Sequence, residues 1–298
     1  MTARFGRVLT AMVTPFTESG AVDLDGAVRL ARWLVEQGNE GLVVTGTTGE
    51  APTLTDDEKV ELWQAVAQAV DVPVIAGTGS NDTRHTVHMT EAASATGVTG
   101  VLVQTPYYNR PSQAGIEAHV RAVAASTDLP VVVYDIPIRT GRKIATEVLV
   151  RLAAEVPNLV ALKDAAANPA ETARLIAAAP PSFEVYSGDD GFTLPLLAVG
   201  AVGAIGVATH WAAGPSRELF DAWEAGDHRK AREVNATLID SYRFETSDDA
   251  PNPVPTKAIL RVLGQPAGPC RAPMGPEPPA LEDHARQVAL GLGLPLAT

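Results

Sequence analysis

A single cysteine, Cys270, stands in a chain of 298 residues, so no intramolecular disulfide can form and no thiolate cluster can hold a metal. Cys270 is read as a bystander. Basic side chains are outnumbered 23 to 35, for a net charge of −12, and no basic cluster interrupts that balance. Nucleic acid and anionic membrane surfaces are therefore poor partners, and an anionic small molecule would need a locally positive pocket. No run of 18 apolar residues occurs, because Gly, Pro, Asp or Thr breaks each candidate, which argues against a membrane span. The opening Met1-Thr-Ala-Arg-Phe-Gly-Arg-Val8 lacks the apolar core of a secretory leader, so the expected location is the cytoplasm.

What is abundant is aliphatic sequence in short pieces. Apolar runs recur at 8–13, 41–45, 72–76, 100–104, 130–134, 159–163, 184–186 and 203–207, and between them lie longer stretches of helical period. The runs are apolar throughout rather than alternating, as expected of strands covered on both faces in a parallel sheet. Eight such βα units predict an α/β fold of the (β/α)₈ TIM barrel type. Helix starts are marked by Asp23-Leu-Asp25, Thr55-Asp-Asp-Glu58 and Asn81-Asp-Thr83. After the eighth run, helical patterns continue over 215–225, 228–242, 256–263 and 281–292, with proline-rich turns at 251–255 and 273–279. The expected division is a catalytic barrel over 1–226 and a C-terminal helical segment over 227–298.

In such barrels chemistry sits at the C-terminal ends of the strands. The sixth run, Leu159-Val-Ala-Leu-Lys163-Asp164, ends on an ammonium. Burial would lower its pKa and make the amine nucleophilic; the competing reading is a rim lysine snorkelling outward with Asp164 as surface partner. The second run opens into Gly46-Thr47-Thr48-Gly49-Glu50, where glycines around two threonines allow backbone N–H groups to converge on a carboxylate; the plainer alternative is an ordinary glycine-rich turn. Only five tyrosines occur, yet Tyr107, Tyr108 and Tyr134 sit at two strand ends, where hydroxyls can relay protons or rings can simply pack. Arg139, in Ile136-Pro-Ile-Arg-Thr-Gly141, can hold a carboxylate bidentately. Asp189 and Asp190 have no histidine near them in sequence and are read as helix-starting residues rather than metal ligands. None of the six histidines shows ligand spacing beyond the His85–His88 pair, which is read as exposed, and none is assigned to catalysis. The reading is metal-free and cofactor-free.

Taken together, these strand ends, with Thr10-Ala-Met-Val-Thr-Pro-Phe16 and Pro251-Asn-Pro-Val-Pro-Thr-Lys257, resemble the pyruvate-dependent class I aldolase and N-acetylneuraminate lyase family, and within it the 4-hydroxy-tetrahydrodipicolinate synthases. The likeness spans nearly the whole chain. It implies that Lys163 forms the Schiff base with pyruvate, that Tyr134 moves protons at the imine, and that Thr47 links Tyr134 to Tyr108, which reaches into a neighbouring subunit's site. Thr47 and Thr48 would bind the pyruvate carboxylate through backbone N–H groups, Arg139 would meet the carboxylate of the incoming aldehyde, and Gly188 and Ile205 would frame the methyl end of pyruvate. The implied reaction is condensation of pyruvate with L-aspartate-4-semialdehyde, an entry step to lysine and diaminopimelate synthesis. The implied assembly is a homotetramer built as a dimer of dimers.

Two departures stand out. After Lys163 the chain reads Asp-Ala-Ala-Ala167, where the family more often has Glu or Asp, Ala, then Thr or Lys and Gly, which leaves substrate choice open. The lysine-feedback site of inhibited members uses histidine and glutamate where this chain has Lys59 and His85, although Asn81 is retained, so weak or absent lysine inhibition is expected. The rival readings are a lyase or aldolase acting on a longer 2-oxo acid or sugar acid and, in another class, a noncatalytic carboxylate-binding paralogue.

Overall fold

Strand alternation decides what each apolar run buries. In the computed structural model, which describes residues 3–297, the runs form β1 (Val8–Ala11), β2 (Gly41–Val44), β3 (Val74–Gly77), β4 (Gly100–Gln104), β5 (Val131–Asp135), β6 (Leu159–Asp164), β7 (Glu184–Ser187) and β8 (Gly203–Gly206). All neighbours pair in parallel, and β8 returns to β1 through Val8↔Ala204 and Thr10↔Gly206, closing the barrel. Leu9, Val43, Ile75, Leu102, Val132, Ala161, Tyr186 and Ile205 fill its interior. Their sequence neighbours, such as Leu42, Val101, Val131 and Leu162, point outward into the layer shared with the helices. The expected eight-stranded α/β barrel is the observed fold. The third strand starts at Val74 rather than 72, because Pro73 has no N–H to give to a ladder and contributes only its carbonyl, to Leu42.

The barrel helices are α1 (Leu24–Glu36), α2 (Asp56–Ala69), α3 (Thr83–Ala93), α4 (Gln113–Ala124), α5 (Pro137–Thr140), α6 (Thr146–Glu155), α7 (Pro169–Ala178), α8 (Thr193–Val199) and α9 (Thr209–Glu224). Asp23 caps α1 by accepting the Gly26 N–H, and Asp82 caps α3 by accepting the Arg84 N–H. Thr55 and Glu58 form a reciprocal capping box at α2. The single-turn α5 was not foreseen from the sequence, since four residues carry no period. The ninth helix begins at Thr209, six residues before the expected 215. Pro215 cannot donate to residue 211, and the chain absorbs this as a kink at Ala212 (φ −119°, ψ 24°) rather than as a helix end.

The remaining helices are α10 (His228–Phe244), α11 (Val254–Val262) and α12 (Leu281–Gly291). The helix expected to start at 256 starts at Val254 instead, with Pro255 in its first turn, where a missing N–H costs nothing. These helices share an apolar cluster with α9 and with Val8 and Ala204 of the barrel, built around Trp211, Phe220, Leu238, Phe244 and Ile259. Among the described residues, no helix is long and apolar enough to cross a membrane.

Candidate active site

Along β6 the inward positions are Ala161 and then Lys163, at the C-terminal end of the strand. Lys163 is 4% exposed, and burial lowers its ammonium to about 8, against the opposing pull of Asp190 and Glu245. The alternative of a rim lysine paired with Asp164 does not hold. Asp164 is itself buried, with one oxygen accepting the Ala166 N–H at 2.9 Å and the other the Thr172 hydroxyl at 2.6 Å. Gly188 makes room for the lysine stem, since a Cβ there would stand 2.8 Å from Lys163 Cγ.

Tyr134 is the register partner of Lys163 across β5 and β6, and the ammonium lies 4.4 Å from its ring centroid. Burial raises the Tyr134 phenol, so its hydroxyl keeps its proton until another group takes it. The next residue, Asp135, is fully buried and binds Lys143 Nζ at 3.0 Å and the Ile144 N–H at 3.2 Å. Those bonds close the loop that carries α5 and Arg139. Arg110 Nε donates to Gly141 O (2.9 Å) and Arg142 Nη2 to Arg110 O (3.1 Å), which ties the same loop to the one holding Tyr107 and Tyr108.

After β2 the chain turns through Thr45, in the left-handed region at φ 57°. The Thr45 hydroxyl accepts from Trp63 Nε1 at 2.7 Å and donates to Gly77 O at 3.1 Å, which holds that conformation. Glu50 N–H bonds to Thr47 O and Ala51 N–H to Gly46 O, while among the described residues the N–H groups of Thr47 and Thr48 have no acceptor. Paired free amides at a turn form an anion-binding concavity.

Thr47, Thr48, Tyr134, Arg139, Lys163 and Gly188 line one cavity of about 580 Å³. A smaller one of about 220 Å³ adjoins it, sharing Thr47, Ile136 and Arg139 and bringing in Tyr107 and Gln104. Two expected site residues lie elsewhere. Ile205 is fully buried in the barrel interior, packed in the same cluster as Tyr134 rather than on the cavity wall, where Val207 stands. Tyr108 points away from its own cavity and is 90% exposed, with φ 69°. A buried nucleophilic amine, a protonated phenol against it, free amides and a guanidinium in one concave site can bind a 2-oxo acid, attack its carbonyl and move protons at the resulting imine.

Residues 4–289 match the Dihydrodipicolinate synthetase family. The chain belongs to that family. It is 47% identical over 275 residues to the 4-hydroxy-tetrahydrodipicolinate synthase of Moorella thermoacetica, covering 91% of this chain and 92% of that one. Its fold superposes on the dihydrodipicolinate synthase of Cyanidioschyzon merolae with lysine bound, at TM-score 0.94 and 41% identity over 98% of this chain and 99% of the other. The chloride-inhibited dihydrodipicolinate synthase of Acinetobacter baumannii, complexed with pyruvate, superposes at TM-score 0.92 and 33% identity over 98% and 100% of the two chains.

Within this dihydrodipicolinate synthetase barrel the structure adds residues that the sequence reading missed. Glu245, at the end of α10, lines the cavity, and both it and Asp190 exert charge on Lys163. Burial first, and then the proximity of Asp190, raise the Glu245 carboxyl well above its ordinary range. Of the two residues expected to start a helix, Asp189 does so by accepting the Gly191 N–H at 3.0 Å at the head of a short 3-10 turn, whereas Asp190 accepts the Val207 N–H at 2.7 Å instead. No local pattern marks Glu245, because the groups it faces come from β6 and from the turn after β7. His210 is buried between the ends of β1 and β8, with Nδ1–H donating to Val207 O (2.7 Å) and Nε2 accepting the Val13 N–H (3.1 Å). Burial holds its pKa down to about 4, so it is a neutral structural bridge. Burial likewise pushes the Cys270 thiol up to about 12, leaving it unreactive. His85 is only partly exposed, contrary to the exposed reading, because Asp56 holds its Nε2 at 2.9 Å. Lys59 lies 3.7 Å from the same carboxylate, so two basic groups stand together there.

Proposed function

We propose that this chain condenses pyruvate with L-aspartate-4-semialdehyde to give 4-hydroxy-tetrahydrodipicolinate through a Schiff base on Lys163. The observation that carries the reading is a buried amine with a pKa lowered to about 8, facing Tyr134 in a cavity that also holds free amides and Arg139. The neutral amine attacks C2 of pyruvate while the Thr47 and Thr48 amides hold its carboxylate. Tyr134 supplies the proton that lets the carbinolamine oxygen leave as water. The iminium then acts as the electron sink for loss of a methyl proton, so no separate cofactor is needed. The enamine carbon adds to the aldehyde, whose own carboxylate meets Arg139, and the new alkoxide is protonated through the Tyr134 relay. The amino group of the semialdehyde then attacks the iminium carbon, closing the ring as Lys163 leaves as the free amine. Thr47 passes protons between Tyr134 and Tyr108 of a neighbouring subunit. That last role fits a tyrosine that is exposed and absent from the lining of its own cavity. Gly188, on the cavity wall beside Lys163, bounds the floor on which the methyl end rests.

The assembly in this reading is a homotetramer made of two dimers, working in the cytoplasm, with residues 1–226 as the catalytic barrel and 227–298 as the C-terminal segment. Lys59 and His85 together disfavour an ammonium ligand at the position inhibited members use for lysine, in keeping with weak feedback.

Condensation assayed over a panel of aldehydes with pyruvate tests the substrate. Product is expected from L-aspartate-4-semialdehyde in preference to uncharged or sugar aldehydes; turnover of a sugar acid or a longer 2-oxo acid with none on the semialdehyde would move the chain to the lyase reading. The lysine also sets a pH dependence. Only the unprotonated amine attacks, and the folded pKa lies near 8, below the ordinary lysine value. The pyruvate kcat/KM should therefore rise about tenfold per pH unit below that point and level off above it. A profile flat from pH 6 to 9 would contradict the assignment.

A further inference from the structure

Glu50 closes the turn that presents the Thr47 and Thr48 amides, and its own backbone sits in the left-handed region at φ 56°. Its side chain is almost wholly buried, with Oε1 2.6 Å from Lys257 Nζ and Oε2 accepting the Arg271 N–H at 2.9 Å. The Lys257 ammonium, fully buried, also donates to Pro269 O at 2.9 Å and lies 4.2 Å from the Phe16 ring centroid. Two residues before Glu50, the Thr48 hydroxyl accepts from Asn252 Nδ2 at 2.9 Å, and Asn252 Oδ1 accepts from Thr256 at 3.3 Å. The partners of the turn thus come from 204 and 221 residues further along, from a part of the chain that contributes no barrel strand.

Stability alone is a weak reason to keep such a pair, since a well-packed apolar replacement of a buried ion pair is often neutral or better. What the pair does have is a place. It pins the far end of a turn whose near end is already held by Thr45, and neither side chain lines the cavity. We propose that Glu50 and Lys257 are positioning residues for the condensation: their ion pair, with Asn252 on Thr48, keeps the two free amides converged on the pyruvate carboxylate. The inference rests on the carboxylate-binding reading of that turn. It gives the C-terminal helices a part in the site as well as in the core.

The test compares Lys257→Met with the double variant Glu50→Gln/Lys257→Met, reading melting temperature, kcat, both KM values and the pyruvate concentration that gives half-maximal borohydride trapping. The single variant leaves a buried carboxylate unpaired and should melt well below the parent. The double variant leaves no charge unpaired and should recover most of that loss. Its half-saturating pyruvate should nonetheless stay raised about tenfold or more, because a misplacement of 1 Å in a positioning group can cost on the order of 10². Its aldehyde KM should change less than about twofold. A double variant with the parent's pyruvate dependence would overturn the proposal and leave the pair a structural feature. Should the double variant not fold, Glu50→Gln alone decides by the same pyruvate readout. Failure of the parent enzyme itself to be trapped would refute the imine reading and not the role of the pair.

Discussion

Lys163→Ala is expected to give a folded barrel with essentially no condensation activity, kcat/KM falling on the order of 10⁵-fold, because the covalent link that converts a bimolecular encounter into an intramolecular reaction is gone. The fold should survive. Lys163 is held by burial and by the Tyr134 ring rather than by an ion pair, and Gly188 beside it already tolerates close approach. Removing an amine whose burial disfavours its charge takes away a desolvation cost along with some packing, so melting should shift little in either direction. Steady-state rates and a melting curve together make the check. Loss of activity with loss of fold would say nothing about chemistry, whereas a well-folded variant that retains a tenth of the activity would remove Lys163 from the mechanism.

Tyr134→Phe is expected to lower kcat by about 10²–10³-fold, within the range for loss of one positioned acid or base. The substitution separates two readings that the sequence left side by side. As an aromatic in the barrel core, Tyr134 packs with Tyr186 and Ile205 and presents its face to the lysine, all of which phenylalanine reproduces. As a proton carrier it acts through a hydroxyl that burial keeps protonated, which phenylalanine lacks. An unchanged kcat would assign Tyr134 to packing alone. A large fall, with borohydride trapping slowed rather than abolished, would assign it to proton transfer at the imine.

The barrel was legible because its strands are buried on both faces. A single short apolar run could equally belong to a buried helix, but eight of them at regular spacing, with helical stretches between, leave few alternatives to closure. Boundaries slipped where one residue overrides the pattern, as Pro73 does at β3 and Pro215 within α9. Lys163 was legible for the opposite reason, as a charge set at the end of an apolar strand, and Arg139 as a charge in the turn that follows one. The buried pairing of Glu50 with Lys257 and the approach of Glu245 to Asp190 were not, because each joins groups that only closure of the fold brings together. Glu50 was visible as part of a turn motif, but nothing in its neighbourhood names a partner 207 positions away, at Lys257. Tyr108 could be picked out by composition, yet its outward direction is set by a left-handed backbone that no sequence rule requires of a tyrosine.

The imine on Lys163 is the claim on which the rest depends, and reduction with sodium borohydride in the presence of pyruvate tests it directly. Intact-mass and peptide-mapping measurements should show one pyruvate-derived adduct per chain, on the peptide that contains Lys163, and none when pyruvate or the lysine is left out. An unmodified Lys163 in folded, pyruvate-saturated protein, or an adduct on Lys143 or Lys257 in its place, would contradict the account.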